Sequence, residues 1–155
     1  MKLVITFVVS GLHNICKQLK PFNPILGETF QGYFDDGTSI YVEHTSHHPP
    51  ISSFMIEGEG FKFWGFYEYT GRLTKNSLIA SQEGPTFVQF DDGQKIKFRM
   101  PSVVISGTIW GERVITWNGV VPFEDISNGI KASLSFYEGG FLSNEHTLDF
   151  VQLIN

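Results

Sequence analysis

The side chains of this chain best suited to chemistry fall in two short clusters, each stiffened by prolines. The first runs Lys20, Pro21, Asn23, Pro24, Gly27, Glu28, and the second runs Glu43, His44, Ser46, His47, His48, Pro49, Pro50. Proline fixes φ, restricts the residue before it and donates no backbone hydrogen bond, so Pro49 and Pro50 should end a strand as His47 and His48 leave the sheet. Gly27 permits a close backbone turn behind Lys20 and Asn23. The chemistry on offer is anion recognition. Lys20 supplies a full positive charge, Asn23 supplies amide donors, and each histidine offers one N–H when neutral and two when protonated. A doubly charged anion favours the protonated ring, so binding at the histidine pair is expected to weaken as pH rises above the histidine range. Taken one by one, Lys20 also reads as a solvated lysine and Asn23 as a turn former before proline.

Two other chemistries compete for the same residues. Glu43, His44, His47 and His48 contain enough ligand atoms for tetrahedral zinc. Neighbours along an extended strand point to opposite faces, however, and the sequence has no second Cys/His cluster to complete a structural site, so no metal is expected. For catalysis, Glu28 and Glu43 offer a carboxylate pair, but there is no Gly-x-Ser-x-Gly elbow, Walker loop or His-Glu-x-x-His helix. Glu28 is better spent organising the turn, and Glu43 orienting a histidine ring by accepting its second N–H. Cys16, the one cysteine, reads as a small core residue. Neither an enzymatic reaction nor a cofactor is expected.

KPFNPILGE at 20–28 and EHTSHHPP at 43–50 closely resemble the two signatures of the oxysterol-binding-protein-related lipid-transfer domain. The family fingerprint reads Glu-Gln-Val-Ser-His-His-Pro-Pro; His44 and Thr45 stand in place of Gln-Val, and the other six positions agree. The likeness continues through KFWG at 62–65 and more loosely through ISGTIWGER at 105–113, to about Glu138. The resemblance implies lipid binding and transfer between membranes, with a sterol or phosphatidylinositol 4-phosphate as the lipid. Lys20 and Asn23 match family positions that contact the glycerol-linked phosphate, and His47 and His48 match those that hold the 4-phosphate. Pro21, Gly27, Glu28, Glu43, Ser46, Pro49 and Pro50 would support them. The implied fold is mainly β: an incomplete antiparallel β-barrel, or curved meander sheet, around one lipid with an N-terminal α-helix. Residues 1–155 are thus expected to form a partial domain, with a helix over 1–19, the signatures over 20–54 and antiparallel strands over 55–155, and without the family's lid and C-terminal segment.

The elements that must position these residues are legible in part. Residues 3 to 9 are β-branched enough for a strand, yet Met1, Val4, Ile5, Val8, Leu12, Ile15 and Leu19 recur at helical spacing, which with the resemblance predicts a helix to about Gln18. Beyond Gly27 the pattern is all-β. Strands are expected over 29–34 and 38–44 around Asp35-Asp36-Gly37, and over 86–90 and 94–100 around a second Asp-Asp-Gly at 91–93. Ile96, Phe98 and Met100 alternate with Lys95, Lys97 and Arg99, which means one buried and one wet face. Further strands are expected over 51–57, 61–70, 72–81, 103–110, 113–118 and 130–137, with a turn at Asn118-Gly119. The closing HTLDFVQLIN reads as a strand whose open edge invites a homodimer, or a role as an interaction module working by strand addition.

Composition bounds the rest. A chain of 155 residues with 41% hydrophobic, 15% aromatic and 17% charged residues suits one folded domain with aromatic area to spare for lining a cavity. The formal net charge of −5 and the lack of a basic stripe argue against nucleic acid. With one cysteine and no Asn-x-Ser/Thr acceptor, the expected location is cytoplasmic, peripherally associated with membranes. MKLVITFVVSG does imitate a secretory signal's opening, although its apolar run is too short to span a bilayer as a helix.

Overall fold

In the computed structural model, which describes residues 1–11, 22–136 and 148–154, helix α1 (Lys2–Gly11) leads into one curved antiparallel sheet. Its strands are β1 (Thr29–Tyr33), β2 (Ser39–His47), β3 (Pro50–Gly58), β4 (Phe61–Leu73), β5 (Ser77–Glu83), β6 (Thr86–Phe90), β7 (Lys95–Phe98), β8 (Ser102–Ser106), β9 (Val114–Asp125), β10 (Ile130–Phe136) and β11 (Leu148–Ile154). The first four strands of the order, β1-β2-β3-β4, are joined as sequential hairpins. β4 then carries two strands on its next edge: β6 along Phe61–Gly65 and β5 along Glu68–Leu73, in unbroken register. β5 and β6 are therefore one long strand interrupted at Gly84-Pro85, where proline removes a ladder donor. β7 and β8 answer them in the same way around Pro101, and β9 pairs with both. With these two breaks understood, the sheet is the expected meander.

Three anticipated boundaries fall elsewhere. Gly71, placed at a break between strands, lies inside β4, and the chain turns at Thr74–Asn76 instead, where Thr74 N–H donates to Ser77 O. The turn expected at Asn118-Gly119 is the interior of β9: Asn118 pairs with Ser102, and Gly119 with Phe136. Turn dipeptides state only what the backbone tolerates, and strand pairing outweighs that tolerance here. β8 stops at Ser106 rather than Trp110.

The core lies between α1 and one face of the sheet. Val4, Ile5 and Val8 from the helical stripe pack with Val88, Ile96, Phe98, Val121, Phe123, Ala132 and Leu134. Register explains the grouping, because Val88 faces Ile96, Phe98 faces Phe123, Phe123 faces Ala132 and Val121 faces Leu134. Phe98 and Phe123 are 1% exposed with stacked rings 5.4 Å apart, and burying side chains of this size stabilises by about 1.5–3 kcal/mol apiece. The predicted alternation in β7 holds: Ile96 and Phe98 are buried, while Lys95 reaches the opposite face and lies 5.0 Å above the Trp64 ring. The helix is described as far as Gly11; its expected continuation, with Leu12, Ile15, Cys16 and Leu19, lies outside the described residues.

Both Asp-Asp-Gly segments form turns of one chemistry. Gly37 N–H donates to Phe34 O and Thr38 N–H to Asp36 Oδ1; Gly93 N–H donates to Phe90 O and Gln94 N–H to Asp92 Oδ1. The backbone hydrogen bond from Thr38, then its side chain, holds the Asp36 carboxyl below its ordinary range.

Candidate functional site

The histidines sit on the hairpin of β2 and β3. β2 runs through His47, β3 opens at Pro50, and His48-Pro49 forms the connection, with a cis peptide bond between them. Proline is well tolerated as a strand's first residue, so the double proline both ends one strand and begins the next. Thr45 is an extra residue in the ladder, since His44 pairs with Ser52 and Ser46 already with Ile51. A bulge of this kind shifts the alternation by one. It brings His47 onto the face of His44, so the expectation that strand alternation keeps these rings apart does not hold.

The rings meet. His44 Nε2 lies 3.2 Å from His47 Nδ1, and the rings of His47 and His48 lie edge to face, 4.9 Å apart. His44 is 4% exposed, and its other nitrogen, Nδ1, is 3.1 Å from Ser52 Oγ across the hairpin. His47 and His48 are exposed. The role expected of Glu43 is thereby corrected: both His44 nitrogens are taken by Ser52 and His47, and Glu43 projects from the opposite face, as the residue before His44 in an extended strand must. It lines a second, shallower groove with Phe30, Tyr41 and Met55. Among the described residues no group of three or more His, Cys, Asp or Glu is arranged to hold a metal ion.

The first cluster is tied to the second through the backbone. Gly27 N–H donates to His44 O, and His44 N–H donates to Glu28 O. Gly27 has φ +78, a region closed to most side chains, and this lets the loop fold back onto β2. Glu28 closes the same turn, its Oε2 accepting from Ile25 N–H at 2.9 Å. Asn23 is exposed in the loop leading into this turn. Lys20 and Pro21 lie outside the described residues.

Two participants were not foreseen as a unit. Ser52 links His44 to Tyr69, whose hydroxyl also meets Gln82. Burial pushes the Tyr69 hydroxyl up, against the opposing effect of the Gln82 and Ser52 hydrogen bonds, so it keeps its proton and remains a donor. Tyr67 is likewise raised by burial and accepts from Thr86 Oγ1 at 3.1 Å. No local sequence signal points to Ser52: counting outward from the His48-Pro49 connection brings it opposite Thr45, and only the bulge there sets it opposite His44.

Along the same face, toward the other end of β2, β3 and β4, lies an apolar groove of about 390 Å³ between sheet and helix. Leu3, Val4 and Phe7 form its helical wall, Ile56, Phe63 and Val88 its floor, and Asp36 and Thr38 its polar rim. Its volume is within the range of small-molecule sites. Register carries the face from groove to histidines, since Ile56 pairs with Ile40 and Phe63, Phe54 with Val42 and Gly65, and Ser52 with His44 and Tyr67. Aromatic contacts run the same way: Phe7 meets Phe63 at 5.6 Å, Phe63 meets Phe54 at 5.1 Å, and Phe54 stacks on Tyr67 at 5.1 Å.

Fold and site together define a class: a curved antiparallel meander that carries, on one face, an apolar groove and a histidine cluster at its far end. The family model described as "Oxysterol-binding protein" matches residues 1–152, and the chain belongs to that family. It is 40% identical over 154 residues to Oxysterol-binding protein 9 of Dictyostelium discoideum, covering 98% of this chain and 34% of the relative. It is 33% identical over 145 residues to the human Oxysterol-binding protein-related protein 5, covering 88% of this chain and 16% of that one. Among solved structures, the Osh3 ORD in complex with PI(4)P from Saccharomyces cerevisiae aligns with a TM-score of 0.85 at 26% identity, covering 92% of this chain and 40% of that one. The Osh1 ORD domain in complex with cholesterol aligns with a TM-score of 0.80 at 26% identity, covering 86% and 34%. The chain thus spans about a third of the length of the Dictyostelium relative.

Proposed function

We propose that this chain binds one membrane lipid, a sterol or phosphatidylinositol 4-phosphate, with its apolar body in the groove and, for the phosphoinositide, its phosphates at Lys20, Asn23, His47 and His48. The observation that carries this reading is that groove and histidines share one face of β2, β3 and β4 at opposite ends. From Thr38 to His44 is six strand steps, about 20 Å at ~3.3 Å per residue, and half of a ~30 Å hydrocarbon core plus a head group needs a similar length. Ile40, Val42 and Phe54 keep the intervening face apolar. Burial at about 25 cal/mol per Å² is the driving force for such a body to leave water. The Osh3 and Osh1 complexes support the two lipid classes by relationship.

This activity is binding without reaction, serving exchange between membranes that the chain touches peripherally. No helix among the described residues is long and apolar enough to cross a membrane. Extraction tests the reading: the protein is mixed with liposomes containing labelled sterol or labelled phosphatidylinositol 4-phosphate, and soluble label is counted after the liposomes are removed. Stoichiometric label in solution is expected for at least one lipid, and none for either would defeat it. A second reading, an interaction module, is favoured by the sheet's ends: β1 and β11 are terminal in the strand order, and Phe30 and Tyr33 of β1 are largely exposed. A discrete dimer by light scattering, with no lipid extracted, supports that alternative.

A further inference from the structure

The histidine that departs from the family fingerprint is the one the structure buries. His44 has a hydrogen-bond partner at each ring nitrogen, and the file of contacts runs from exposed Tyr69, which also meets Gln82, through buried Ser52 and His44 to exposed His47. A neutral imidazole donates through one nitrogen and accepts through the other, so such a file has only two consistent proton arrangements. In the inward one, His47 Nδ1–H donates to His44 Nε2, and the neutral His47 turns a lone pair on Nε2 toward any incoming anion. In the outward one, Tyr69 donates to Ser52, Ser52 donates to His44 Nδ1, and His44 Nε2–H donates to His47 Nδ1. His47 then carries its proton on Nε2, where a phosphate oxygen can accept it. An anion repels the first arrangement and selects the second.

We propose that His44 is a positioning residue of the anion site: by donating Nε2–H to Nδ1 of His47 it holds His47 in the tautomer whose Nε2–H is presented to a phosphate oxygen. This rests on the reading of His47 as a phosphate ligand. The other groups facing His44 do not take over the task. Tyr67 and Tyr69 of β4 are neutral hydroxyls held up by burial. Glu28 meets His44 through its backbone only, its carboxylate being occupied by Ile25 N–H, and Glu43 lies on the other face of the sheet. His48 contacts His47, not His44. A glutamine in this place offers one acceptor and one donor, enough to imitate the neutral file. Unlike histidine, it cannot take a second proton and donate to Ser52 and His47 together.

The test compares wild type with His44→Gln, His44→Leu and Ser52→Ala on the whole chain. Nitrogen-15 NMR reads the tautomer of His47 at about pH 8. Binding is read by flotation with phosphatidylcholine vesicles, with and without phosphatidylinositol 4-phosphate, from mildly acidic to about pH 8. Wild type and H44Q are expected to hold His47 as Nε2–H, whereas H44L and S52A populate both tautomers. H44Q should bind phosphoinositide vesicles within about twofold of wild type at the alkaline end and fall behind at the acid end, and H44L should bind about tenfold more weakly throughout. An unchanged His47 tautomer in both H44L and S52A overturns the proposal, as does wild-type affinity in H44L. If wild type ignores the phosphoinositide, the phosphate reading falls by itself, while the tautomer measurement still decides whether His44 positions His47.

Discussion

One face of this sheet is used in two ways. Under α1, across β6, β7, β9 and β10, it is closed: Ile96 and Val121 are 0% exposed, and the stacked Phe98 and Phe123 leave no room for a guest. Beyond the helix, across β2 and β3, the same face lacks a covering layer among the described residues and carries the histidines, while the groove lies at the border, walled by Leu3, Val4 and Phe7 of α1 and floored by Ile56, Phe63 and Val88. Strand chemistry hardly differs between the halves, as both alternate apolar and polar residues. What differs is the layer opposite. A sheet face covered by a helix contributes stability, and the continuation of that face, left open, becomes a place for something else to be buried.

Substitutions should therefore separate the halves, and the largest effect belongs to the closed one. Phe123→Ala removes a ring packed against Phe98 with nowhere to collapse, and it is expected to cost about 3–5 kcal/mol in denaturant unfolding. An equal loss from Phe54→Ala, whose ring stacks on Tyr67 in the open half, would erase the distinction. Asp125 comes next. This fully buried carboxylate at the end of β9 accepts from Gln94 Nε2, Asn128 Nδ2, Ser127 N–H and Asn128 N–H. Burial acts to raise its pKa, but these donors prevail and hold it below the ordinary carboxylate range. Because the folded value is the lower one, the stabilisation is present above the unfolded pKa and is lost as pH falls through the folded one. Asp125→Ala should cost about 2–3 kcal/mol near neutrality by orphaning these donors, and much less in acid, as thermal melts across pH will read.

The same division explains what could be seen in the sequence. Ile96 and Phe98 were legible because alternation reports a covered face directly, and Val4, Ile5 and Val8 because helical spacing does. The pairing of His47 with His48 was legible as a motif, but the approach of His44 was not. It depends on the extra residue at Thr45, a matter of register between β2 and β3 that no local pattern records. Glu43 was misassigned for the same reason: by plain alternation it would share the face of His47, and the extra residue at Thr45 sets the two on opposite faces. Gly71 and Asn118-Gly119 misled in the other direction, because turn propensity is local while Gly71, Asn118 and Gly119 are held in the sheet by distant ladder partners, Ala80, Ser102 and Phe136.

Binding sharpens the contrast from the open side. His47→Ala removes an exposed ring, so the melting temperature should move little. The same change deletes a charge-assisted donor worth about 1.5–3 kcal/mol, which is roughly ten- to a hundredfold in affinity for phosphoinositide vesicles measured by flotation. Phe123→Ala should show the reverse at temperatures where it stays folded. If His47→Ala melted as early as Phe123→Ala, the histidine would belong to the core, and the division of the face would be wrong.

The smallest predicted effect compares the halves with local chemistry held constant. Gly37 closes a turn in the open half and Gly93 one in the closed half, with φ of +84 and +88 and nothing within 4 Å of an added Cβ at either. Alanine at each therefore meets no clash, only the cost of a left-handed backbone, about 1–2 kcal/mol. Equal losses of that size in global unfolding mean that β1 to β3 unfold together with the core as one cooperative unit. If Gly37→Ala instead leaves the global transition unchanged and raises amide exchange only in β1 and β2, the open half unlatches separately, through a sub-global opening that does not involve the core. Hydrogen exchange resolved by residue distinguishes the outcomes. The second would tie the site's accessibility to the thinness of its support, because a face with no layer opposite is held chiefly by its edges.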